Sequence, residues 1–368
     1  MSNAERLGFD LERLARARQV LVQHVSGHTT PGGVGMVVRR EGTAAQWAVG
    51  RHTYDASARE VRPDDLYDLA SLTKVVVTTT LCMVLEEAGR LDLDAPVGER
   101  ISAFTGKGRD QVTARHLLAH CGGLPAHRHF YRTCRSKTEV LEAICGIALA
   151  YEPGKETVYS DLGFLLLGAL VEQASGERLE RLAQRLIFDP VGMEETVYRP
   201  GADLLARIPP TEYDRTWRDR LVHGEVHDEN AAGMGGVAPH AGLFGTADDL
   251  GRFLRLFLCE GRWEGRRIFS MARIRRFTSR AGIVPGSTRA LGWDTVSKEG
   301  SSAGRFFLPR SYGHLGFTGT SMWADPERNL GVVLLTNRVH PTRENQGIRA
   351  LRPAFHDAVS GALTENRG

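Results

Sequence analysis

Between residues 9 and 26 the apolar Leu11, Leu14, Val20, Leu21 and Val25 recur among charged residues at helical spacing, which predicts an amphipathic opening helix. Pro31-Gly32-Gly33 breaks that period. Two apolar segments follow, Val34 to Val38 and Trp47 to Val49, and the turn-like Arg40-Glu41-Gly42 between them predicts a β-hairpin. From about Ser71 to Gly176 apolar residues return at helical intervals, in 74–88, 113–120, 137–150 and 162–175, punctuated by Gly and Pro. The tail reverts to strand-like runs at 312–317, 320–324 and 331–336, with Asp325-Pro326-Glu327-Arg328-Asn329 as a turn, and closes with a predicted helix over 344–362. Both ends of the chain are therefore expected to build one sheet. The fold class that follows is α+β: an antiparallel β-sheet flanked by terminal helices, with a mainly helical inserted domain. The expected division is 1–70 with 238–368 as the sheet domain and 71–237 as the helical one, with the site in a cleft at their interface.

Composition narrows the class of protein without naming its chemistry. A chain of 368 residues, 42% hydrophobic, 25% charged and 7% aromatic, matches soluble globular proteins and excludes disordered or collagenous ones. Its 47 cationic and 44 acidic side chains leave a net charge of +3 with no long block of one sign, so no nucleic-acid partner is expected. No apolar run approaches the roughly 18 residues of a membrane span, and no membrane-embedded reading follows. The five cysteines are odd in number and lack a Cys-x-x-Cys pair, which suits reduced thiols rather than a disulfide scaffold. The first thirty residues are charged and contain no apolar signal core, so the chain reads as cytoplasmic, or as periplasmic if a leader has been removed. His116, His120, His127 and His129 lie near Cys121 and Cys134, yet no His-Glu-x-x-His or zinc-type cysteine spacing accompanies them. Neither metal nor cofactor is expected.

Candidate chemistry begins with lysine, because of the 47 cationic residues only Lys74, Lys107, Lys137, Lys155 and Lys298 are lysines. Ala70-Ser71-Leu72-Thr73-Lys74 puts a hydroxyl and an amine three residues apart, on one face of a helix. Serine becomes a useful nucleophile when a neighbour takes its proton, and lysine can do so when desolvation or nearby cations depress its pKa. The following Val75-Val76-Val77 supplies an apolar helix able to bury Lys74, and an amide at a helix start points toward developing negative charge. By itself Ser-x-x-Lys is a weak signal, equally compatible with a surface lysine on an ordinary helix.

Two further segments carry polar residues at structural junctions. Glu152 to Phe164 contains Tyr159-Ser160-Asp161 at the entrance of an apolar helix, where Ser160 or Asp161 alone would read as an N-cap. Gly313-His314-Leu315-Gly316-Phe317-Thr318-Gly319-Thr320-Ser321 reads as a glycine-rich strand that admits another backbone at close range.

In this order the three segments resemble the serine β-lactamase and penicillin-binding protein superfamily, in particular its class C β-lactamase-like branch, with Ser-x-x-Lys, Tyr-x-Asn and Lys-Thr-Gly or His-x-Gly. The resemblance implies a β-lactamase/transpeptidase-like fold, Ser71 as acylated nucleophile, and Lys74 with Tyr159 as the pair that shuttles its proton. It implies His314-Leu315-Gly316 as the strand motif and the backbone amides of Ser71 and Phe317 as oxyanion hole. Arg115 to Leu124-Pro125 and Trp323-Ala324-Asp325-Pro326 extend the likeness over nearly the whole chain.

Three departures stand out. Asp161 occupies the usual Asn place, exchanging an amide donor for an acceptor-only carboxylate that favours ligand N–H or O–H groups. Ser160-Asp161 also permits a Ser-Asp-Asn register with Ser160 in the relay, although the flanks Pro153-Gly154 and Gly163-Phe164 favour Tyr159. His314 replaces a permanently charged Lys, so attraction for a substrate carboxylate becomes pH-dependent and β-lactam hydrolysis is not the expected primary role.

Ile208-Pro209-Pro210-Thr211-Glu212, Gly224 to Ala231 and His240-Ala241-Gly242-Leu243-Phe244 look like the branch of penicillin-binding protein 4B-like carboxypeptidases and muramoyl-alanine amidases. That likeness implies a small-molecule substrate, a peptide or sugar-peptide fragment of peptidoglycan. Glu225, His227 and Asp228 sit beside glycines and could rim a polar pocket, or form a salt-linked surface loop instead. His127 falls where class C enzymes place a substrate-contacting Gln. The expected activity is hydrolysis of an amide through an acyl-enzyme, with a short-chain carboxylesterase as alternative and a non-catalytic binder of wall fragments or β-lactams as a second.

Overall fold

In the computed structural model, which describes residues 1–364, a six-stranded sheet is built from both ends of the chain. Its strands are β1 (Gly32–Arg39), β2 (Gly42–Gly50), β6 (Asp294–Thr295), β7 (Tyr312–Leu315), β8 (Ser321–Asp325) and β9 (Leu330–Thr336). They lie in the order β6-β7-β8-β9-β1-β2, antiparallel throughout. A smaller three-stranded sheet joins β3 (Tyr67–Asp68), β4 (Val197–Tyr198) and β5 (Leu243–Gly245), with β5 central.

Both faces of the large sheet are covered, which explains why its inner strands read as continuous apolar runs. Strand alternation divides them between two cores. Val34, Met36 and Val38 of β1, with Val333 and Leu335 of β9, face the helical part of the molecule. Val37, Val332 and Leu334 face the other way, against the terminal helices α1 (Leu11–Ser26) and α5 (Ile348–Ser360). Leu14, Ala17 and Leu21 of α1 and Leu351, Phe355 and Val359 of α5 form that second core. Gly35 of β1 is required there, because a Cβ would meet the Phe355 ring at 2.5 Å.

The helical region centres on α3 (Asp161–Ser175), buried on almost every side from Leu162 to Val171. It packs against the segment after Ser71, a stretch of π-helix (Lys74–Thr79) continuing into α2 (Thr80–Glu87). Every residue of that π-turn is buried. The amphipathic α4 (Ala247–Leu258) closes the sheet from the same side, packing on β1 and β9.

Pattern and structure differ most at the sheet edges. The β2 strand begins at Gly42 rather than at Trp47, and none of its nine residues is fully buried. An edge strand with one solvated side leaves no continuous apolar run to mark it. At the other end the run expected over 312–317 stops at Leu315, because Gly316 turns the chain and donates its N–H to the Thr320 carbonyl at 2.7 Å.

Candidate active site

Ser71 stands at the junction of β3 and the π-turn, where local backbone aims it. Asp68 accepts the Ala70 N–H at 2.8 Å, and Ala70 takes a left-handed φ of 46°, a conformation unfavourable for a residue with a Cβ. The chain then turns into the helix with Ser71 half-buried and the next nine residues buried. Lys74, one turn on, reaches back to place Nζ 3.0 Å from Ser71 Oγ. Nζ also donates to the His240 carbonyl at 3.2 Å and pairs with Asp161 Oδ1 at 2.7 Å.

Asp161 and Tyr159 arrive together at the start of α3. Ser160 is the N-cap: its Oγ accepts the Gly163 N–H at 3.3 Å and donates to the Pro125 carbonyl at 2.7 Å. That occupies Ser160 structurally and turns its two neighbours toward Lys74. The Lys74 ammonium lies 4.8 Å from the Tyr159 ring centroid, and Lys74 and Ser71 both favour the ionised form of the phenol. The second oxygen of Asp161 faces His127 Nδ1 at 3.4 Å, with the His127 side chain 36% exposed.

The electrostatics correct one expectation. Burial opposes the charge on Lys74, but the Asp161 carboxylate and the Tyr159 phenol outweigh it and hold the ammonium above its ordinary pKa. Lys74 is therefore a stable cation rather than a depressed amine. Asp161 is held far below the usual carboxylate range: Lys74, the His127 hydrogen bond and His240 overcome its desolvation. Burial raises Tyr159, and Asp161 adds to that effect while Lys74 works against it.

The strand motif supplies backbone rather than charge. His314 is buried, with Nδ1 bonded to the Leu315 carbonyl at 2.9 Å and Nε2 without a partner among the described residues. Burial, with Lys74 and Arg289 nearby, pushes its pKa well below the ordinary histidine value. The expected pH-dependent charge thus gives way to a neutral ring packed 5.9 Å from that of Tyr159. Gly316 is required by close approach: a Cβ would meet Thr320 Oγ1 at 1.9 Å and the Leu69 carbonyl at 2.6 Å. Thr318 and Thr320 donate to the Asp68 and Leu69 carbonyls at 2.7 and 3.1 Å, binding the turn to the segment that presents Ser71. Neither the Ser71 nor the Phe317 amide donates to another group among the described residues. The Phe317 ring is 48% exposed and stacks on His227 at 5.6 Å.

The presumed polar rim divides. Glu225 pairs with Arg220 at the surface, the salt-linked alternative to a pocket wall. His227 is buried, its Nε2 2.9 Å from Glu212 Oε2 and its N–H donated to Asp68 at 2.7 Å, so it braces Phe317 from beneath instead of lining a rim. Asp228 caps the short helix Glu229–Gly233 and sits 3.0 Å from His240 Nε2; despite desolvation, His240 holds its carboxyl down to about 2.

Two contributors escaped the sequence reading. The His120 ring packs tilted against that of Tyr159 at 4.5 Å, accepts the Ser160 N–H at 3.1 Å, and is held toward its neutral form by burial and by Arg289 and Lys74. Arg289 lies 5.0 Å from the Tyr159 ring and is ion-paired with Asp294. Neither left a local signal in the sequence pattern, and the left-handed φ of 55° at His120 shows only in the structure.

A Ser–Lys–Tyr convergence between an antiparallel sheet and a helical insertion is the arrangement of the serine β-lactamase and penicillin-binding protein superfamily. The Beta-lactamase family matches residues 17–354, and the chain belongs to that family and is a serine hydrolase. It is 31% identical to a putative D-alanyl-D-alanine carboxypeptidase of Escherichia coli O157:H7, over 92% of this chain and 85% of that one. It is 30% identical to an N-acetylmuramyl-L-alanine amidase of Bacillus subtilis (strain 168), over 92% and 84% respectively. Among solved structures, EstCE1, a hydrolase with promiscuous acyltransferase activity, superposes with a TM-score of 0.76 at 21% identity, covering 95% of this chain and 99% of that one, which shows the shared fold.

Proposed function

We propose that this protein hydrolyses an amide bond of a peptidoglycan-type fragment through an acyl-enzyme on Ser71. Ser71 Oγ attacks the carbonyl carbon in the ionisation state in which Tyr159 is a phenolate beside a Lys74 that Asp161 keeps charged, and the serine proton passes to that phenolate oxygen. The Ser71 and Phe317 amides receive the oxyanion. As the tetrahedral intermediate collapses, the C–N bond breaks and Tyr159 returns the proton to the leaving amine. Water then enters, gives its proton to the same relay, and frees the acyl group and Ser71.

One observation carries this reading: Lys74 Nζ lies 3.0 Å from Ser71 Oγ and 2.7 Å from Asp161, with the Tyr159 phenol over the same ammonium. The likeness to the amidase and the carboxypeptidase supports the substrate class. Between those two activities, the neutral His314 and the ion-paired Arg289 favour an internal amide such as muramoyl-alanine over a terminal D-alanine with a free carboxylate. Residues 1–70 with 238–368 and 71–237 serve in this reading as the two walls between which the fragment is held.

The test is a parallel assay of muramoyl-peptide, a D-Ala-D-Ala peptide, nitrocefin and p-nitrophenyl acetate. The highest kcat/KM is expected on the muramoyl-peptide. Turnover confined to p-nitrophenyl acetate would establish the carboxylesterase alternative in its place.

A further inference from the structure

Arg352 of α5 is a cation buried in the second core, 8% exposed, with no carboxylate in ion-pair contact among the described residues. Its Nη2 donates to two backbone carbonyls, Gly316 at 2.6 Å and Thr320 at 2.8 Å, and its buried Nε has no partner among the described residues. An uncompensated charge in such a place is unfavourable for stability alone. The Gly316 carbonyl belongs to the same peptide unit as the Phe317 N–H, and that N–H has no partner among the described residues. Arg338, also without an ion pair among the described residues, donates its Nε to the Phe317 carbonyl at 3.0 Å.

We propose that Arg352 is a positioning residue for the oxyanion site, acting through the Gly316–Phe317 peptide whose carbonyl it binds and whose N–H faces the reacting carbonyl. The proposal rests on the reading of Phe317 N–H as an oxyanion donor. A carbonyl that accepts a charged hydrogen bond polarises its peptide, so the N–H at the other end becomes a stronger donor. The guanidinium also lies on the far side of that peptide from the reacting centre, where its field favours negative charge at the N–H end in a dry environment. One nitrogen spanning the carbonyls of Gly316 and Thr320 further fixes the turn that the Gly316 N–H to Thr320 hydrogen bond closes. Burial pushes the guanidinium down only to about 9, so it remains charged at neutral pH. This is also a fixed arrangement: no proton moves, and nothing at the relay of Lys74, Tyr159 and Asp161 is altered.

The experiment is saturation kinetics of a fluorophosphonate probe with the full chain, which separates initial binding (KI) from covalent attack on serine (kinact). For R352Q, kinact is expected to fall by about 10- to 100-fold, below the loss for a directly deleted oxyanion donor, with KI unchanged. R352K keeps the charge on a shorter stem and is expected to lose only a few-fold. Should R352Q not fold, R352K alone still reads the effect as a fall in kinact at constant KI. A parental kinact in either folded variant overturns the inference, and so does a parallel loss in KI, which marks a merely structural role. Failure of the parent protein itself to form an adduct at Ser71 overturns the nucleophile reading and this inference with it.

Discussion

Lys74 and Arg352 are both buried cations bearing on Ser71, and the molecule treats them in opposite ways. Lys74 comes from the helical side and meets a carboxylate at 2.7 Å, whereas Arg352 comes from the sheet side and meets only backbone carbonyls. A paired charge in a dry site is held in one protonation state by its partner, and its field is largely cancelled at a distance. An unpaired one keeps its field and must have it absorbed by dipoles. In the proposed mechanism the helical side manages a proton, and the sheet side presents aligned donors to an anion that forms only during reaction.

The sharpest way to break this contrast is to delete the nucleophile or the paired cation. Ser71→Ala and Lys74→Ala should each lower kcat on the best amide substrate by about 10⁴-fold, measured by product release. Lys74→Ala should in addition destabilise the fold by about 3 kcal/mol in urea unfolding, because it strands the Asp161 carboxylate. Next in size is Tyr159→Phe, expected to cost about 10²- to 10⁴-fold in kcat, as for loss of a general base. Ser160→Ala should leave kcat nearly intact and cost about 1 kcal/mol of stability as a lost helix cap. A larger kcat loss from Ser160 than from Tyr159 would transfer the relay to the other register.

Asp161→Asn sharpens the comparison by leaving Lys74 as unpaired as Arg352. The carboxylate raises Tyr159 and Lys74, so its removal lowers both. In the proposed relay the working form is the phenolate, so activity is expected to rise with pH through the Tyr159 titration, and the acid limb of kcat/KM should move to lower pH in Asp161→Asn. A limb that stays put would remove Asp161 from control of the relay. The smallest effect concerns Asp228, whose folded pKa of about 2 lies below the unfolded value of about 3.9. Its contribution to stability is present above about pH 4 and is lost as pH falls through about 2. Asp228→Asn should therefore flatten the acid arm of the stability curve over that interval.

What the sequence made legible follows from which contacts are local. Ser71 and Lys74 are one helical turn apart, and Ser160 caps a helix it immediately precedes, so their relations are visible in spacing alone. The inner strands β1 and β9 were marked because both faces are buried, while the edge strand β2 was read short because none of its residues is fully buried. The charge state of Lys74 was misjudged: apolar neighbours predicted depression, but the deciding carboxylate approaches from a different helix. His314 was expected to titrate usefully, yet depth of burial and two cations remote in sequence but close in the fold decide its state. Arg352 had no signature, since one of two arginines on an amphipathic helix acquires meaning only when the sheet brings Gly316 beneath it.

The central claim is that Ser71, with Lys74 and Tyr159 in reach, forms a covalent acyl-type adduct. Intact-protein and peptide mass spectrometry after a fluorophosphonate or penicillin measures this directly. The account predicts one added probe mass at Ser71 in the parent protein and none in Ser71→Ala. An unmodified parent, or an adduct on another residue, would contradict it.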